Sequence, residues 1–290
     1  MSPLKIDHDG VPVTKVVFWG TTLAGKTTIL KTMGLVKALE SPENVFEFRR
    51  IEDTETMRTT GFDLLVLGVG TNRANPKLPL LKIHLFTVPG QERFKAIRKV
   101  VQEGLHGLII TIDSMKERWE ENKRALMEIW DIVGEELSSG KLPAIIIVNK
   151  MDLPIGQRIA PQDIANLAKD AQITDRAGEI LQNVYDVSCL EAIQQLGGFM
   201  QTAKEGDEVA NVLRTVGRAL ELAGKQRPLD EGIRLITKVV DALLRKKSVD
   251  KAFGGMPAYL NQGNRPQHIK RILMPMEHII REILIKSRSS

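Results

Sequence analysis

The clearest chemical pattern in the sequence is the run Gly20-Thr21-Thr22-Leu23-Ala24-Gly25-Lys26-Thr27, which fits the phosphate-loop pattern G-x-x-x-x-G-K-[ST]. Glycine at both ends of the loop permits backbone conformations in which successive N–H groups turn inward around a phosphate chain. The Lys26 ammonium would reach the β- and γ-phosphates of a nucleotide, and the Thr27 hydroxyl would bind Mg²⁺. These residues predict a phosphate-binding site, which extends to Thr28 in the following helix.

A second pattern, Asn149-Lys150-Met151-Asp152, predicts which base is bound. The Asp152 carboxylate can accept two hydrogen bonds from guanine, whereas adenine presents an acceptor at N1 and would repel it. A wrong base would leave buried polar groups unpaired, which discriminates strongly between nucleotides. The Lys150 side chain can lie over the base plane, and Asn149 can tie this loop to the phosphate loop. The run Ser188-Cys189-Leu190 would place backbone N–H groups against guanine O6.

The elements around these motifs alternate between strands and helices, which predicts an α/β fold with a mixed, mostly parallel six-stranded sheet and helices on both faces. The apolar run Val13–Trp19 leads into the phosphate loop. Leu142–Val148 delivers Asn149 at its carboxyl end, where ligands bind in open α/β sheets. The polar stretch Pro42–Thr60 has no clear period and is predicted to be a long loop. The other predicted strands are Phe62–Val69, Leu80–Phe86, Gly107–Ile112 and Asn183–Val187.

The composition is that of an ordinary globular protein, with 42% apolar and 27% charged residues in a chain of 290. No apolar run approaches the roughly 20 residues of a membrane span, and the N-terminus lacks a signal-peptide pattern, so we predict a cytoplasmic location. A single cysteine, Cys189, excludes internal disulfides and Cys-rich metal sites. The net charge of +5 is uneven, because residues 226–290 contain 13 Lys and Arg against 6 Asp and Glu. The excess therefore belongs to that segment and says nothing about the nucleotide site; separately, no nucleic-acid partner is expected.

Residues 13–224 resemble a small GTPase of the Ras superfamily, and the details are most similar to the bacterial gliding-motility polarity (MglA-like) GTPases and their prokaryotic relatives. Both motifs above carry this resemblance, together with Arg58-Thr59 and with Thr87-Val88-Pro89-Gly90-Gln91. The run from Thr87 to Gln91 is the most specific to this family, because most small GTPases have aspartate where this chain has Thr87. The run Thr59-Thr60-Gly61-Phe62 also resembles the first switch of Arf-type GTPases. The resemblance implies a P-loop G domain.

The resemblance also implies roles for residues in two switch loops. Thr59 would join Thr27 on Mg²⁺ and meet the γ-phosphate through its N–H, so that loss of this phosphate would release the loop. Gly90 would contribute to nucleotide binding, and Gln91 would orient the attacking water. Arg58 would act from within the chain to neutralise the charge that develops during hydrolysis. Together with Lys26, these two side chains form the predicted catalytic set.

Two positions depart from the family pattern. Thr87 cannot hold a Mg²⁺-bound water as an aspartate does, which predicts weaker metal affinity. Thr22 stands where MglA-like and Ras-like chains carry glycine, and its Cβ could crowd the catalytic water or a partner's arginine. We therefore expect slow intrinsic turnover and faster hydrolysis in Thr22→Gly.

The predicted domain division places a G domain at residues 1–225 and a basic helical extension at residues 226–290. Two helices are predicted in the extension, over Leu229–Arg245 and from Gln267, the second with a kink at Pro275. Three interpretations remain open for these helices. They could pack on the G domain, offer a surface to a partner or second subunit, or contact an anionic membrane through their basic faces.

Taken together, the motifs predict a molecular switch that binds GTP and GDP with Mg²⁺, hydrolyses GTP to GDP and phosphate, and signals to partner proteins. The resemblance implies stimulation by a GTPase-activating partner of the Roadblock/longin type. Two alternatives remain. A GTP-binding scaffold with negligible hydrolysis is consistent with Thr22 and Thr87, and an ATP-using P-loop enzyme or kinase is disfavoured by Asp152.

Overall fold

The computed structural model describes residues 4–51, 62–88, 104–173, 178, 180–202, 208–223 and 266–288. Eight strands in this part of the chain form one sheet in the order β3-β4-β5-β2-β6-β7-β8, and the short β1 pairs with β2. The strands are β1 Lys5–Ile6, β2 Pro12–Gly20, β3 Val45–Ile51, β4 Phe62–Val69, β5 Leu81–Thr87, β6 Gly107–Asp113, β7 Ala144–Asn149 and β8 Val184–Asp186.

Six α-helices accompany the strands in the described residues. They are α1 Lys26–Glu40, α2 Trp119–Ser138, α3 Ile164–Asp170, α4 Cys189–Met200, α5 Glu208–Ala223 and α6 Gln267–Arg288.

The centre of the sheet is parallel and buried on both faces. Strand β2 pairs in parallel with β5 and β6, and β6 to β8 continue in parallel. Every residue of β6 and β7 is buried, which explains why both strands read as continuous apolar runs. Because Gly20 pairs with Thr111 and Asp113 with Asn149, the ends of β2, β6 and β7 lie at one edge of the sheet. This edge carries both predicted motifs.

The helices cover both faces of the sheet. Alternate residues of β2 enter different cores, Val16 and Phe18 on one face and Val17 and Trp19 on the other. The first core includes residues of α1, α4, α5 and α6, and the second includes residues of α2 and α3. The prediction of a mixed, mostly parallel sheet with helices on both faces is therefore confirmed.

The sheet has two more strands than the six predicted. Residues 45–51, within the predicted loop Pro42–Thr60, form β3, which pairs antiparallel with β4 from Val45↔Leu67 to Ile51↔Phe62. Four of its seven residues are apolar and of strand-favouring types, but Glu47, Arg49 and Arg50 interrupt any continuous apolar run, and pairing with β4 satisfies backbone groups along one side of the strand. The second additional strand, β1, has only two residues and forms a hairpin with the start of β2. The rest of the predicted loop, residues 52–60, lies outside the described residues.

Helix α6 packs into the core that contains α1. Its apolar residues recur at intervals of three and four, and seven of them are buried: Ile269, Ile272, Leu273, Met276, Ile279, Ile280 and Ile283. The helix contacts α1, α4, β6, β7 and β8. Of the three interpretations of the extension, the structure thus shows packing on the body of the protein for α6. The predicted domain boundary at 225/226 and the predicted helix Leu229–Arg245 lie outside the described residues.

No helix in the described ranges is both long and apolar enough to cross a membrane.

Candidate functional site

The loop between β2 and α1 has the backbone geometry that its glycines permit. Gly20 has φ +146° and Gly25 has φ +94°. A Cβ at Gly20 would lie 2.1 Å from the Thr111 carbonyl oxygen, and a Cβ at Gly25 would lie 2.1 Å from Asn149 Nδ2. Leu23 also adopts a positive φ, of +66°, with a 77% exposed side chain. Any side chain at either glycine would therefore displace a neighbouring strand or loop.

Lys26 lies buried under this loop. Its ammonium donates hydrogen bonds to the carbonyl oxygens of Gly20, at 2.9 Å, and Thr21, at 2.7 Å. The side chain is only 7% exposed, so its positive charge is held in a partly desolvated position next to the loop. A cation placed in this way attracts a phosphate more strongly than one in open water. Lys26 is the first residue of α1. Ala24, in the loop before it, and Thr28, in the first turn of the helix, are also buried.

A carboxylate from β4 meets the predicted metal ligand Thr27. The Thr27 hydroxyl donates a 2.6 Å hydrogen bond to Asp63 Oδ2. The Thr87 hydroxyl donates to the same carboxylate oxygen at 3.2 Å and accepts a 3.1 Å bond from the Asp63 N–H. Asp63 is 7% exposed and is held between these two threonines. A carboxylate from the neighbouring strand β4 therefore lies beside both Thr27 and Thr87.

Sequence reasoning did not identify Asp63 as a site residue. Its only local signal is a charged residue near the start of an otherwise apolar strand. The structure brings Asp63 to Thr27 because β4 runs antiparallel beside β5, with Leu64 opposite Phe86. A carboxylate and a hydroxyl in contact form an oxygen donor set of the kind that Mg²⁺ prefers. Thr27 and Asp63 therefore fit the predicted metal.

Asn149 joins the base motif to the phosphate loop. Its Nδ2 donates a 2.9 Å hydrogen bond to the Ala24 carbonyl, and its Oδ1 accepts a 3.4 Å bond from the Cys189 N–H. Asn149 is 2% exposed, so both contacts are shielded from water. One side chain thus holds together the phosphate loop, the end of β7 and the start of α4.

Asp152 and the predicted Ser188-Cys189-Leu190 run are brought together at the end of β8. The Ser188 hydroxyl donates a 2.9 Å hydrogen bond to Asp152 Oδ1 and accepts one of 3.2 Å from the Glu191 N–H. Ser188 is therefore the N-cap of α4, and Cys189 and Leu190 form its first turn. Burial raises the pKa of the Cys189 thiol, so this cysteine remains a neutral thiol at neutral pH.

Lys150 is fixed by a buried carboxylate that sequence reasoning also missed. Its ammonium lies 2.5 Å from Asp113 Oδ2, at the end of β6, and 3.7 Å from the Met115 sulfur. Asp113 is buried and its Oδ1 also accepts a hydrogen bond from the Met115 N–H at 3.1 Å. Lys150 has φ +68°, a conformation uncommon for lysine. The ion pair thus orients the side chain predicted to lie over the base.

Arg118 holds the outer side of the phosphate loop. Its guanidinium donates a 2.9 Å hydrogen bond to the Thr22 carbonyl oxygen and forms a 3.0 Å ion pair with Glu121. The Thr22 side chain is exposed. The end of β6 therefore contacts the base motif through Asp113, and the segment after β6 contacts the phosphate loop through Arg118.

The four predicted switch residues Arg58, Thr59, Gly90 and Gln91 lie outside the described residues. The remaining predicted residues lie along one edge of the sheet, at the end of β7, in the loops after β2, β7 and β8, and in the first turns of α1 and α4. Their roles in catalysis and binding stay predictions.

Two comparisons with known proteins bear on this site. Residues 11–196 match the family model described as the ADP-ribosylation factor family. The mutual gliding-motility protein MglA from Myxococcus xanthus (strain DK1622) is 36% identical over 141 residues, which cover 48% of this chain and 68% of MglA. Both the phosphate-loop and base-motif residues fall within the matched range.

Proposed function

The chain belongs to the ADP-ribosylation factor family of Ras-superfamily small GTPases, and we propose that it hydrolyses GTP to GDP and phosphate with Mg²⁺ bound. The observation that carries the proposal is the 2.9 Å hydrogen bond from Asn149 to the Ala24 carbonyl. This bond fixes a phosphate loop and a guanine-type motif in one rigid unit. A purine nucleoside triphosphate that reaches both must present its base to Asp152 and its phosphates to Lys26.

At the base end, Asp152 supplies the discrimination. Its carboxylate would accept hydrogen bonds from guanine N1–H and the exocyclic amine. The hydrogen bond from Ser188 to Asp152 Oδ1 orients the carboxylate before the base arrives. Because the acceptor is positioned in advance, little ordering entropy is lost on binding. Adenine cannot satisfy this acceptor, which argues against the ATP-using alternative.

At the phosphate end, loop N–H groups, Lys26 and the N-terminus of α1 would bind the anion together. Thr27 would hold the metal, and Asp63 would orient the Thr27 hydroxyl and supply a negative charge beside it. When bound, Mg²⁺ neutralises negative charge on the phosphate oxygens. The carboxylate of Asp63 would replace the aspartate that is absent at Thr87 and would offset the weaker metal affinity expected from Thr87 alone.

For hydrolysis, the resemblance assigns Gln91 to orient a water whose oxygen attacks the γ-phosphorus. The bond to the β–γ bridging oxygen breaks, and GDP leaves with the bonding electron pair. Arg58 would stabilise the charge that develops, and Thr59 would sense the γ-phosphate. These assignments rest on the sequence motifs.

The partner assignments are part of the same proposal. Loops that change with the γ-phosphate would present a surface to effectors and to a GTPase-activating partner of the Roadblock/longin type. A peripheral membrane contact through the basic C-terminal segment and a cytoplasmic location remain predictions from sequence.

The proposal is tested by single-turnover hydrolysis of radiolabelled GTP in the full chain, with and without Mg²⁺. Gln91→Ala should bind GTP as tightly as the parent protein and lose at least about tenfold in hydrolysis rate, because only the orientation of water is lost. Gln157→Ala, at an exposed glutamine beyond the base motif, is the matched control. Thr22→Gly should hydrolyse GTP faster than the parent.

Three outcomes decide among the alternatives. Release of phosphate at equal rates from the parent and Gln91→Ala would favour the GTP-binding scaffold. Displacement of labelled GDP by ATP as readily as by GTP would favour an ATP-using enzyme. Fast hydrolysis by the parent without a partner would contradict the crowding expected from Thr22.

A further inference from the structure

The first turns of α6 lie against the segment that forms the guanine side of the proposed site. His268 Nδ1 lies 3.0 Å from Glu191 Oε2, in the first turn of α4. One turn later, the Arg271 guanidinium forms an ion pair with Asp186, the last residue of β8. Two turns further along, His278 contacts the Tyr185 hydroxyl, with the two rings edge to face at 5.9 Å between centroids. Three polar side chains on one side of α6 thus contact residues 185–191.

Two of the contacted residues, Asp186 and Glu191, flank the residues that would face guanine. Between Asp186 and Glu191 lie only Val187, Ser188, Cys189 and Leu190. The Val187 N–H donates to the Val148 carbonyl, and the Val187 carbonyl accepts from the Met151 N–H, so the segment is also tied to the base motif. A shift of Asp186 or Glu191 would therefore move Ser188 relative to Asp152.

Apolar packing fixes helix α6 against the sheet, so that its polar side chains can hold residues 185–191 in place. The seven buried apolar side chains given above fix it against β6, β7, β8 and α4. At its far end, the Lys286 ammonium donates a 2.6 Å hydrogen bond to the Gly140 carbonyl. Gly107 of β6 leaves room for the helix, since a Cβ there would lie 2.9 Å from Ile283. The position of α6 is thus set by packing, independently of its polar contacts with residues 185–191.

We propose that His268 and Arg271 are positioning residues that hold the 186–191 segment in the geometry that binds guanine, so that docked α6 slows nucleotide release. This inference rests on the proposed guanine-nucleotide site. Both residues lie beyond residues 11–196, the range matched by the ADP-ribosylation factor family. The C-terminal segment thereby becomes part of the nucleotide switch and controls how long GDP stays bound.

The test measures release of a fluorescent GDP analogue from the full chain in excess unlabelled GDP. The side chains of Arg271 and Asp186 are each 37% exposed, and a partly exposed ion pair of this kind shifts an equilibrium by up to about fivefold. Arg271→Gln should therefore release the analogue faster, by up to about fivefold, Arg271→Lys should recover part of the difference, and His268→Gln should add to it. Arg281→Gln, at an exposed arginine of the same helix, is the matched control and should release at the parent rate.

A double-mutant cycle separates positioning from a general effect on folding. Asp186→Asn should accelerate release as Arg271→Gln does, and the double variant should release no faster than either single variant. If Arg271→Gln lowers the thermal midpoint of unfolding but leaves the release rate unchanged, the residue is structural and the inference is wrong. Additive effects of the two substitutions would also overturn it. If the parent protein binds no guanine nucleotide, the proposed function itself fails, which is a distinguishable result.

Discussion

The contact between Asp63 and Thr27 predicts how the protein depends on magnesium. In Asp63→Asn, the side-chain oxygen can still accept hydrogen bonds from Thr27 and Thr87, so the local geometry is preserved. The negative charge is lost. This substitution therefore tests whether β4 supplies the charge that most small GTPases supply from the position of Thr87.

The expected effect follows from the geometry. The 2.6 Å hydrogen bond from Thr27 to a buried carboxylate is charge-assisted, and such bonds are worth about 1.5–3 kcal/mol. Loss of a group that orients a metal ligand typically weakens metal binding by about 10–100-fold. We therefore expect the Mg²⁺ concentration that half-maximally slows GDP release to rise by about 10–100-fold in Asp63→Asn.

The assay is the release of a fluorescent GDP analogue across a Mg²⁺ titration, at constant ionic strength. Asp131→Asn removes the same charge from an exposed position on α2 and should leave the titration midpoint unchanged. Thr87→Asp in the Asp63→Asn background should recover part of the magnesium affinity, because it returns a carboxylate next to the Thr27 hydroxyl. Thr87→Asp alone should not improve binding, because two carboxylates would then compete for one position.

The reasoning would be refuted by an Asp63→Asn variant that retains its folded stability and titrates with Mg²⁺ like the parent. Failure of the double variant to recover any affinity would show that Asp63 acts through the position of β4 and not through its charge.

Three further predictions concern the base, the loop and the sheet. Asp152→Asn should shift the preference of the protein from GDP toward xanthosine diphosphate, because an amide can donate to the oxygen that replaces the guanine amine. An unchanged preference in calorimetric titration would refute the assignment of the base site. Gly25→Ala should weaken GDP binding by at least about tenfold, because a Cβ would lie 2.1 Å from Asn149 Nδ2 in a backbone conformation with positive φ. Equilibrium fluorescence titration measures the affinity for GDP, and a variant that binds GDP as tightly as the parent would contradict the prediction. Burial, together with the nearby charges of Lys15 and Lys82, lowers the pKa of His84 below 6.5. Neutral His84 therefore contributes fully to the free energy of unfolding above pH 6.5, and this contribution is lost as the pH falls through the lowered pKa. His84→Gln should flatten that acid-side decline in urea unfolding, and an unaltered pH profile would exclude His84 as its cause.

The sequence by itself determined the chemistry that depends on local backbone geometry. Glycines at 20 and 25 and the lysine that follows specify a phosphate loop within eight residues, because they set which backbone angles are possible. The run Asn149–Asp152 predicts a base site, and the buried apolar strand before it brings this run to one edge of the sheet. Apolar periodicity located six strands and the two-faced arrangement of helices, and it also marked the apolar side of α6.

Only the tertiary structure decided which distant groups complete the site. Asp63 lies 36 residues from Thr27, and Asp113 lies 37 residues from Lys150, so neither pairing leaves a local pattern. They arise from the order in which the strands pair and from the packing of α1 on the sheet, which depend on the whole fold. Strand β3 was missed because Glu47, Arg49 and Arg50 interrupt its apolar residues, so that no continuous apolar run marks the strand that pairing with β4 produces. The position of α6 against residues 185–191 was likewise undecided, since an apolar helical face specifies that it will be buried but not which surface will bury it.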